Sequence, residues 1–126
     1  MRVEHIAFNV EDPAAMADWY CEHLGMKIAM HAGAAYFLSD ETGHGILELY
    51  NNPPDEVPDY GSMHPLLLHV AFQSADLEGD RARLIAAGAT PTGPELPKGE
   101  QYGIVFVKDP WGFTVQFVRR EKEILP

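Results

Sequence analysis

The sequence predicts an α+β fold assembled from two copies of one strand–helix–strands module. Three observations carry this. His5-Ile6-Ala7-Phe8 corresponds to His69-Val70-Ala71-Phe72 at an offset of 64. A helix-start aspartate recurs at the same offset, as Asp12 and Asp76, and helix-ending glycines follow at Gly25 and Gly88. Apolar residues also switch from a period of two to helical spacing and back, in the same order in each half. Two βαβββ modules with two sheets facing each other across a pseudo-twofold axis satisfy all three.

The first module spans about residues 1–52. Residues 2–10 alternate, with Ile6, Phe8 and Val10 on one side and Val3, His5, Ala7 and Asn9 on the other, which is a strand. Asp12-Pro13 is an N-cap followed by proline at the first helical position. From Ala14 to Leu24, the residues Met16, Trp19, Tyr20 and Leu24 share a helical face, and Gly25 stops the helix. Strands are expected at Met26–Met30, Ala35–Ser39 and Gly45–Tyr50, separated by turn-prone His31-Ala32-Gly33 and Asp40-Glu41-Thr42-Gly43.

Asn51 to Pro65 carries four of the ten prolines and reads as a connector, with about residues 53–65 between the modules. Loops of this length often cover a site, and Met63-His64 is placed to do so. The second module then runs over about residues 66–121. Leu66–Gln73 is expected as a strand, and a helix opens at Ser74 or Ala75 with Leu77, Leu84 and Ile85 as its buried stripe. Further strands fit near Thr90–Leu96, Gly103–Val107 and Phe113–Val118, the last two joined by Asp109-Pro110-Trp111-Gly112. Lys98-Gly99-Glu100 lies in a loop placed to close over a substrate.

Composition narrows the function. With 126 residues, 46% of them hydrophobic, the chain suits one compact domain. No run of about 18 apolar residues is present, so no membrane span is expected. The opening Met1-Arg2-Val3-Glu4-His5 lacks the pattern of a secretion signal. Cys21 is the single cysteine, which excludes a disulfide framework and thiolate-rich zinc sites and points to a reducing, cytoplasmic compartment. The formal charge is -10, from 19 acidic and 9 basic side chains, and it disfavours nucleic acid as a partner.

Strand parity then selects four polar residues. If Ile6 and Phe8, or Val70 and Phe72, pack under their helix, His5 and His69 face the other way. Ala7 and Ala71 follow on that face and leave room for a ligand. On the last strand of each module, Leu47 and Leu49 flank Glu48, while Val115 and Phe117 flank Gln116. The expected result is two imidazoles, a carboxylate and an amide directed at one volume. A bare buried carboxylate costs several kcal/mol, a cost that a cation removes. His and Glu donors suit a first-row divalent metal. Asn9, Tyr36, Tyr50 and Gln73 are candidate substrate-binding residues by the same parity. His23, His31, His44 and His64 are expected in surface roles.

At this point the sequence resembles the vicinal oxygen chelate superfamily, which includes glyoxalase I, bleomycin-resistance proteins and extradiol dioxygenases. The carriers are His5-Ile6-Ala7-Phe8-Asn9-Val10, Trp19-Tyr20, Leu24-Gly25-Met26-Lys27 and Ile46-Leu47-Glu48-Leu49-Tyr50. His69-Val70-Ala71-Phe72 and Asp109-Pro110-Trp111-Gly112 with Val115-Gln116-Phe117 carry it in the second half. The resemblance implies a half-open eight-stranded barrel with a helix outside each module. It also implies metal ligands at His5, Glu48, His69 and Gln116, the four that parity selects. One divalent ion per site is implied, Zn, Ni, Mn, Co or Fe, in a homodimer that acts on a small molecule.

The implied activity is a glyoxalase-type lyase or isomerase that works through a metal-stabilised enolate on a small oxygenated substrate, with Glu48 moving the proton. Gln116 departs from glyoxalase I, where the last strand supplies a second carboxylate. Methylmalonyl-CoA epimerase is similar to this set with Gln and Glu exchanged between modules. The alternatives are an Fe(II) extradiol-type dioxygenase using His5, His69 and Glu48, and a ligand-binding protein of the bleomycin-resistance kind without chemistry.

Overall fold

A computed structural model describes residues 1–93 and 102–125. The expected loop at Lys98-Gly99-Glu100 and the end of the expected strand near Thr90–Leu96 lie outside the described residues. The chain divides into two compact units, Met1–Pro58 and Asp59–Pro126. Each contains one four-stranded sheet and one α-helix, so the class is α+β, with a βαβββ order in each unit.

In the first unit, β1 (Ile6–Asn9) leads to α1 (Pro13–Leu24), then β2 (Lys27–Ala32), β3 (Ala35–Ser39) and β4 (Ile46–Tyr50). The sheet order is β1-β4-β3-β2, with β1 parallel to β4 and the other pairs antiparallel. The Asp12 side chain accepts from the Ala15 backbone N–H at 3.1 Å, which caps α1, and Pro13 occupies the first turn where no N–H is needed. Gly25 ends the helix at φ 66, a left-handed conformation that glycine adopts without a Cβ clash. Met16, Ala17, Trp19 and Tyr20 form the buried stripe, and α1 packs on β3 and β4, with β2 beside them. Leu38, Leu47 and Leu49 meet it from the sheet.

One parity expectation fails here. Phe8 is buried, but Ile6 is 55% exposed. β1 is an edge strand paired only with β4, and α1 lies over the middle of the sheet. Ile6 shares the correct face yet starts the strand beyond the helix's main footprint.

In the second unit, a short 3-10 turn (Tyr60–Ser62) precedes β5 (Val70–Gln73) and α2 (Leu77–Ala86). β6 (Thr90–Thr92), β7 (Tyr102–Lys108) and β8 (Thr114–Arg120) complete a sheet of order β5-β8-β7-β6. The strand expected from Leu66 begins only at Val70, because Leu67 N–H turns back to the His64 carbonyl at 2.9 Å. The helix opens at Asp76, two residues after Ser74. The Asp76 carboxylate accepts from Gly79 N–H at 3.0 Å, while Ser74 Oγ accepts from Asp76 N–H and donates to Asp80. Ala87 is the C-cap, and Gly88 follows at φ 110.

The two N-caps have nearly the same backbone, φ -136 and ψ 86 at Asp12 against φ -136 and ψ 84 at Asp76. The repeat extends to dihedral angles. Leu77 and Leu84 seat α2 on β7 and β8, and Gly103 on β7 leaves the space that Leu77 fills. Asp109 is buried and accepts from the N–H groups of Trp111 and Phe113, which shapes the turn between β7 and β8. Gly112 in that turn sits at φ 87, where an added Cβ would come within 2.7 Å of the Gly61 backbone.

Candidate functional site

The ladders settle which side chains share a face. In the first sheet, Ala7 pairs with Glu48 and Asn9 with Tyr50 across β1 and β4, while Phe37 pairs with Glu48 across β3 and β4. Cross-strand partners project to the same side, so His5, Ala7, Asn9, Phe37, Glu48 and Tyr50 lie on the face away from α1. His5 Nε2 stands 3.0 Å from Glu48 Oε2, and its Nδ1 stands 2.8 Å from Glu4 Oε2. The imidazole is thus held between two carboxylates. Its ring meets Phe37 at a near right angle, with centroids 5.4 Å apart.

The second sheet repeats this arrangement with different chemistry. Ala71 and Phe106 pair with Gln116, and Gln73 pairs with Val118, so all share one face with His69. His69 Nδ1 lies 2.9 Å from the Pro65 carbonyl oxygen, and His69 Nε2 lies 3.2 Å from Gln116 Nε2. A carbonyl oxygen only accepts, so Nδ1 carries the proton. The Gln116 amide N–H then donates to an unprotonated Nε2. Phe106 meets the His69 ring at 5.7 Å and 80°. Gln116 is 5% exposed, in contrast to the half-buried Glu48.

Each unit therefore brings together one histidine and one last-strand partner, as parity requires. Among the described residues, no group of three or more His, Cys, Asp or Glu side chains forms a metal cluster. The donor chemistry of each pair nonetheless fits a divalent ion. Two ligands about 2.0–2.1 Å from one ion stand roughly 2.9–3.4 Å apart, and the two pairs measure 3.0 and 3.2 Å. His69 already presents an Nε2 lone pair. Gln116 would turn its amide to offer Oε1 in place of nitrogen, a rotation within the same density of atoms.

The substrate-binding candidates separate. Tyr50 and Gln73 lie on the faces of Glu48 and Gln116. Asn9 also lies on the Glu48 face, but its amide donates to the Pro53 carbonyl at 2.7 Å and accepts from Asn52 N–H at 2.7 Å, tying the connector to β1. Tyr36 is on the other face. It pairs with Leu49 in the β3–β4 ladder and stacks on His31 at 4.1 Å. The antiparallel register of β3 makes Phe37 the face-mate of Glu48, and a one-residue choice of register exchanges the two.

Phe37 and Phe106 are the residues that sequence reasoning missed. Their signal was available: each lies on the strand hydrogen-bonded to a ligand-bearing last strand, in the sequence Tyr36-Phe37 or Val105-Phe106. Lys108, also missed, shares the face of Phe106 and donates from Nζ to the carbonyls of Tyr60 and Met63 at 2.8 and 2.7 Å. Burial pushes its pKa down, against the pull of Asp109 and Asp59. Met63 is therefore anchored beside β7 through its main chain. His64 Nδ1 accepts from Leu66 N–H at 3.1 Å, and His23 lies against Trp19, so both have local structural partners.

These features define a class: a duplicated βαβββ protein with a histidine before the first strand of each module and a polar partner on the last. Residues 2–117 match the model of the Glyoxalase/Bleomycin resistance protein/Dioxygenase superfamily, and the chain belongs to that family. It is 27% identical to glyoxalase I of Saccharomyces cerevisiae, a match that covers 96% of this chain and 45% of the yeast protein. The chain thus spans about half the length of that curated relative.

Solved structures show the same fold. A glyoxalase family protein from Bacillus cereus superposes with a TM-score of 0.76 at 16% identity, over 94% of this chain and 93% of its own. An antibiotic binding protein from Streptomyces sp. CB03234 superposes with a TM-score of 0.70 at 19% identity, over 97% of both chains. Among the described residues, no helix is long and apolar enough to cross a membrane.

Proposed function

We propose that this protein is a divalent-metal-dependent lyase or isomerase of glyoxalase type, acting on a small oxygenated substrate. His5, Glu48, His69 and Gln116 would supply the ligands. The observation that carries this reading is the spacing of the two donor pairs, 3.0 and 3.2 Å, at equivalent strands of the repeat. The likeness to glyoxalase I supports it.

A bound divalent ion of this kind, Zn, Ni, Mn, Co or Fe, supplies Lewis acidity, which polarises a substrate carbonyl and lowers the pKa of the adjacent C–H. The chain's own contribution is the proton path. Glu48 is the one carboxylate of the four, half-buried beside His5, and it takes the proton from one carbon and returns it to its neighbour. Gln116 is a neutral, non-basic amide, so a second base does not act from β8. Ala7 and Ala71 keep both faces open next to the ligands, and Tyr50 and Gln73 offer hydroxyl and amide groups to substrate oxygens. Function in a homodimer is part of this proposal.

The test is to prepare the protein with single defined metals and assay 2-oxoaldehyde thiol adducts and related carbon acids, reading turnover and exchange of substrate hydrogen with deuterated water. Metal-dependent exchange supports the reading. Bound metal with neither turnover nor exchange overturns it, and oxygen uptake with catechols on the iron form would support the extradiol alternative instead.

A second reading is a ligand-sequestering protein without chemistry. One observation favours it: both pairs satisfy themselves by hydrogen bonds, and no buried side-chain nitrogen or oxygen lacks a partner among the described residues. The fold likeness to an antibiotic binding protein is compatible with this. Saturable binding of an aromatic antibiotic to metal-stripped protein would distinguish it.

A further inference from the structure

We propose that Glu4 is a positioning residue for His5, holding the ring proton on Nδ1 so that Nε2 is aimed at the same point as Glu48. This rests on the metal-binding reading above. Glu4 Oε2 lies 2.8 Å from His5 Nδ1, and the opposite ring nitrogen is the one beside Glu48. An ionised carboxylate can only accept, so with the Nε2 lone pair given to an ion, the remaining ring proton sits on Nδ1 and points at Glu4.

The second module fills the same position with a different group, so the acceptor is not a product of the repeat. The offset that aligns His5 with His69 aligns Glu4 with Leu68, which has no acceptor. There the acceptor is the Pro65 main-chain carbonyl, 2.9 Å from His69 Nδ1. Both rings are therefore oriented through Nδ1, one by a charged side chain and one by a neutral backbone group. The charged partner strengthens its imidazole as a donor, whereas the carbonyl mainly sets direction. Glu4 can be replaced without touching the backbone, which makes the first half-site the adjustable one.

Outer-shell partners of metal-bound histidine are typically worth 10–100-fold in affinity. The Glu4 side chain is 76% exposed, so solvent screening moves the expected effect to about 3–10-fold. The experiment measures the zinc dissociation constant by competition with a chromogenic chelator for the wild type, Glu4→Ala, Glu4→Gln and a control, Glu22→Ala. Glu22 is an equally exposed carboxylate beside His23, a residue outside the four. The expected result is weaker binding in Glu4→Ala, an intermediate loss in Glu4→Gln, which keeps an acceptor oxygen, and no change in the control.

A second readout is the exchange rate of the His5 Nδ1 proton in the nitrogen-correlated NMR spectrum of the zinc form, faster in Glu4→Ala. Wild-type affinity together with an unchanged proton in Glu4→Ala overturns the proposal. Failure of the wild type to bind any of zinc, nickel, manganese, cobalt or iron overturns the proposed function instead. Glu4 is then judged by the same proton in the metal-free protein, where its insensitivity to Glu4→Ala also overturns the positioning role.

Discussion

Phe106 stands directly across the β7–β8 ladder from Gln116. Its ring closes against His69 at 80°, so the two ligand candidates of the second module share one aromatic support. Ile104, Phe106 and Val118 form a buried cluster on this face. Phe37 and Glu48 have the same relationship in the first module, with Phe37 half-buried. Truncating Phe106 to Ala removes a ring that is 1% exposed and is expected to cost about 3–5 kcal/mol. Phe37→Ala is expected to cost less, about 1–2 kcal/mol, since less area leaves water there. Urea unfolding of both variants checks the order.

Glu48→Gln makes the two last-strand positions chemically alike and removes the only carboxylate of the four. Under the proposed function, substrate hydrogen exchange falls by about 10²–10⁴, the usual worth of a positioned general base. The variant is expected to fold as the wild type does, because the amide can still bond His5. Measuring metal content beside exchange separates loss of the base from loss of the ion.

At Gly112, φ of 87 and an approach of 2.7 Å between an added Cβ and Gly61 leave an alanine no inexpensive escape, because both contacts are main chain. Gly112→Ala is expected to lower stability by about 1–3 kcal/mol. Gly25→Ala tests the conformational part alone, since nothing lies within 4 Å of its Cβ position. It is expected to cost about 1 kcal/mol. Thermal or urea midpoints distinguish the two.

Asp40 carries the acid dependence that can be assigned. Burial alone would raise its pKa, but the Thr42 hydroxyl and the backbone N–H groups of Gly45, His44 and Thr42 outweigh that and hold the carboxyl below its ordinary 3.8. The folded value is depressed, so the stabilisation is fully present above the ordinary value of 3.8 and is lost as pH falls through the lower folded value. Asp40→Asn is expected to flatten the acid limb of a stability-against-pH curve below pH 4 and to leave its slope at neutral pH unchanged.

The N-caps and the repeat were legible because they are local: an aspartate followed by helical spacing carries its own instruction, and Asp12 and Asp76 both obey it. The pairings of His5 with Glu48 and His69 with Gln116 were legible through parity on strands flanked by leucine, valine and phenylalanine. Tyr36 was misplaced because its face relative to Glu48 is set by the β3–β4 register across the Asp40–Gly45 turn, which alternation does not reveal. Leu66–Leu68 looked like strand because apolar content does not distinguish a ladder from the turn closed by His64. Glu4 escaped notice because alternation places it on the side of Ile6 and Phe8, opposite His5, and its bond to the neighbouring ring is visible only in the structure.

The matched backbone angles at Asp12 and Asp76 have a consequence for how such a chain acquires new chemistry. They show two modules that start their helices with the same local geometry while carrying different side chains beside each histidine. Glu48 against Gln116, and Glu4 against Leu68, are those differences. A change of donor type at such a position leaves the N-cap that starts each helix untouched.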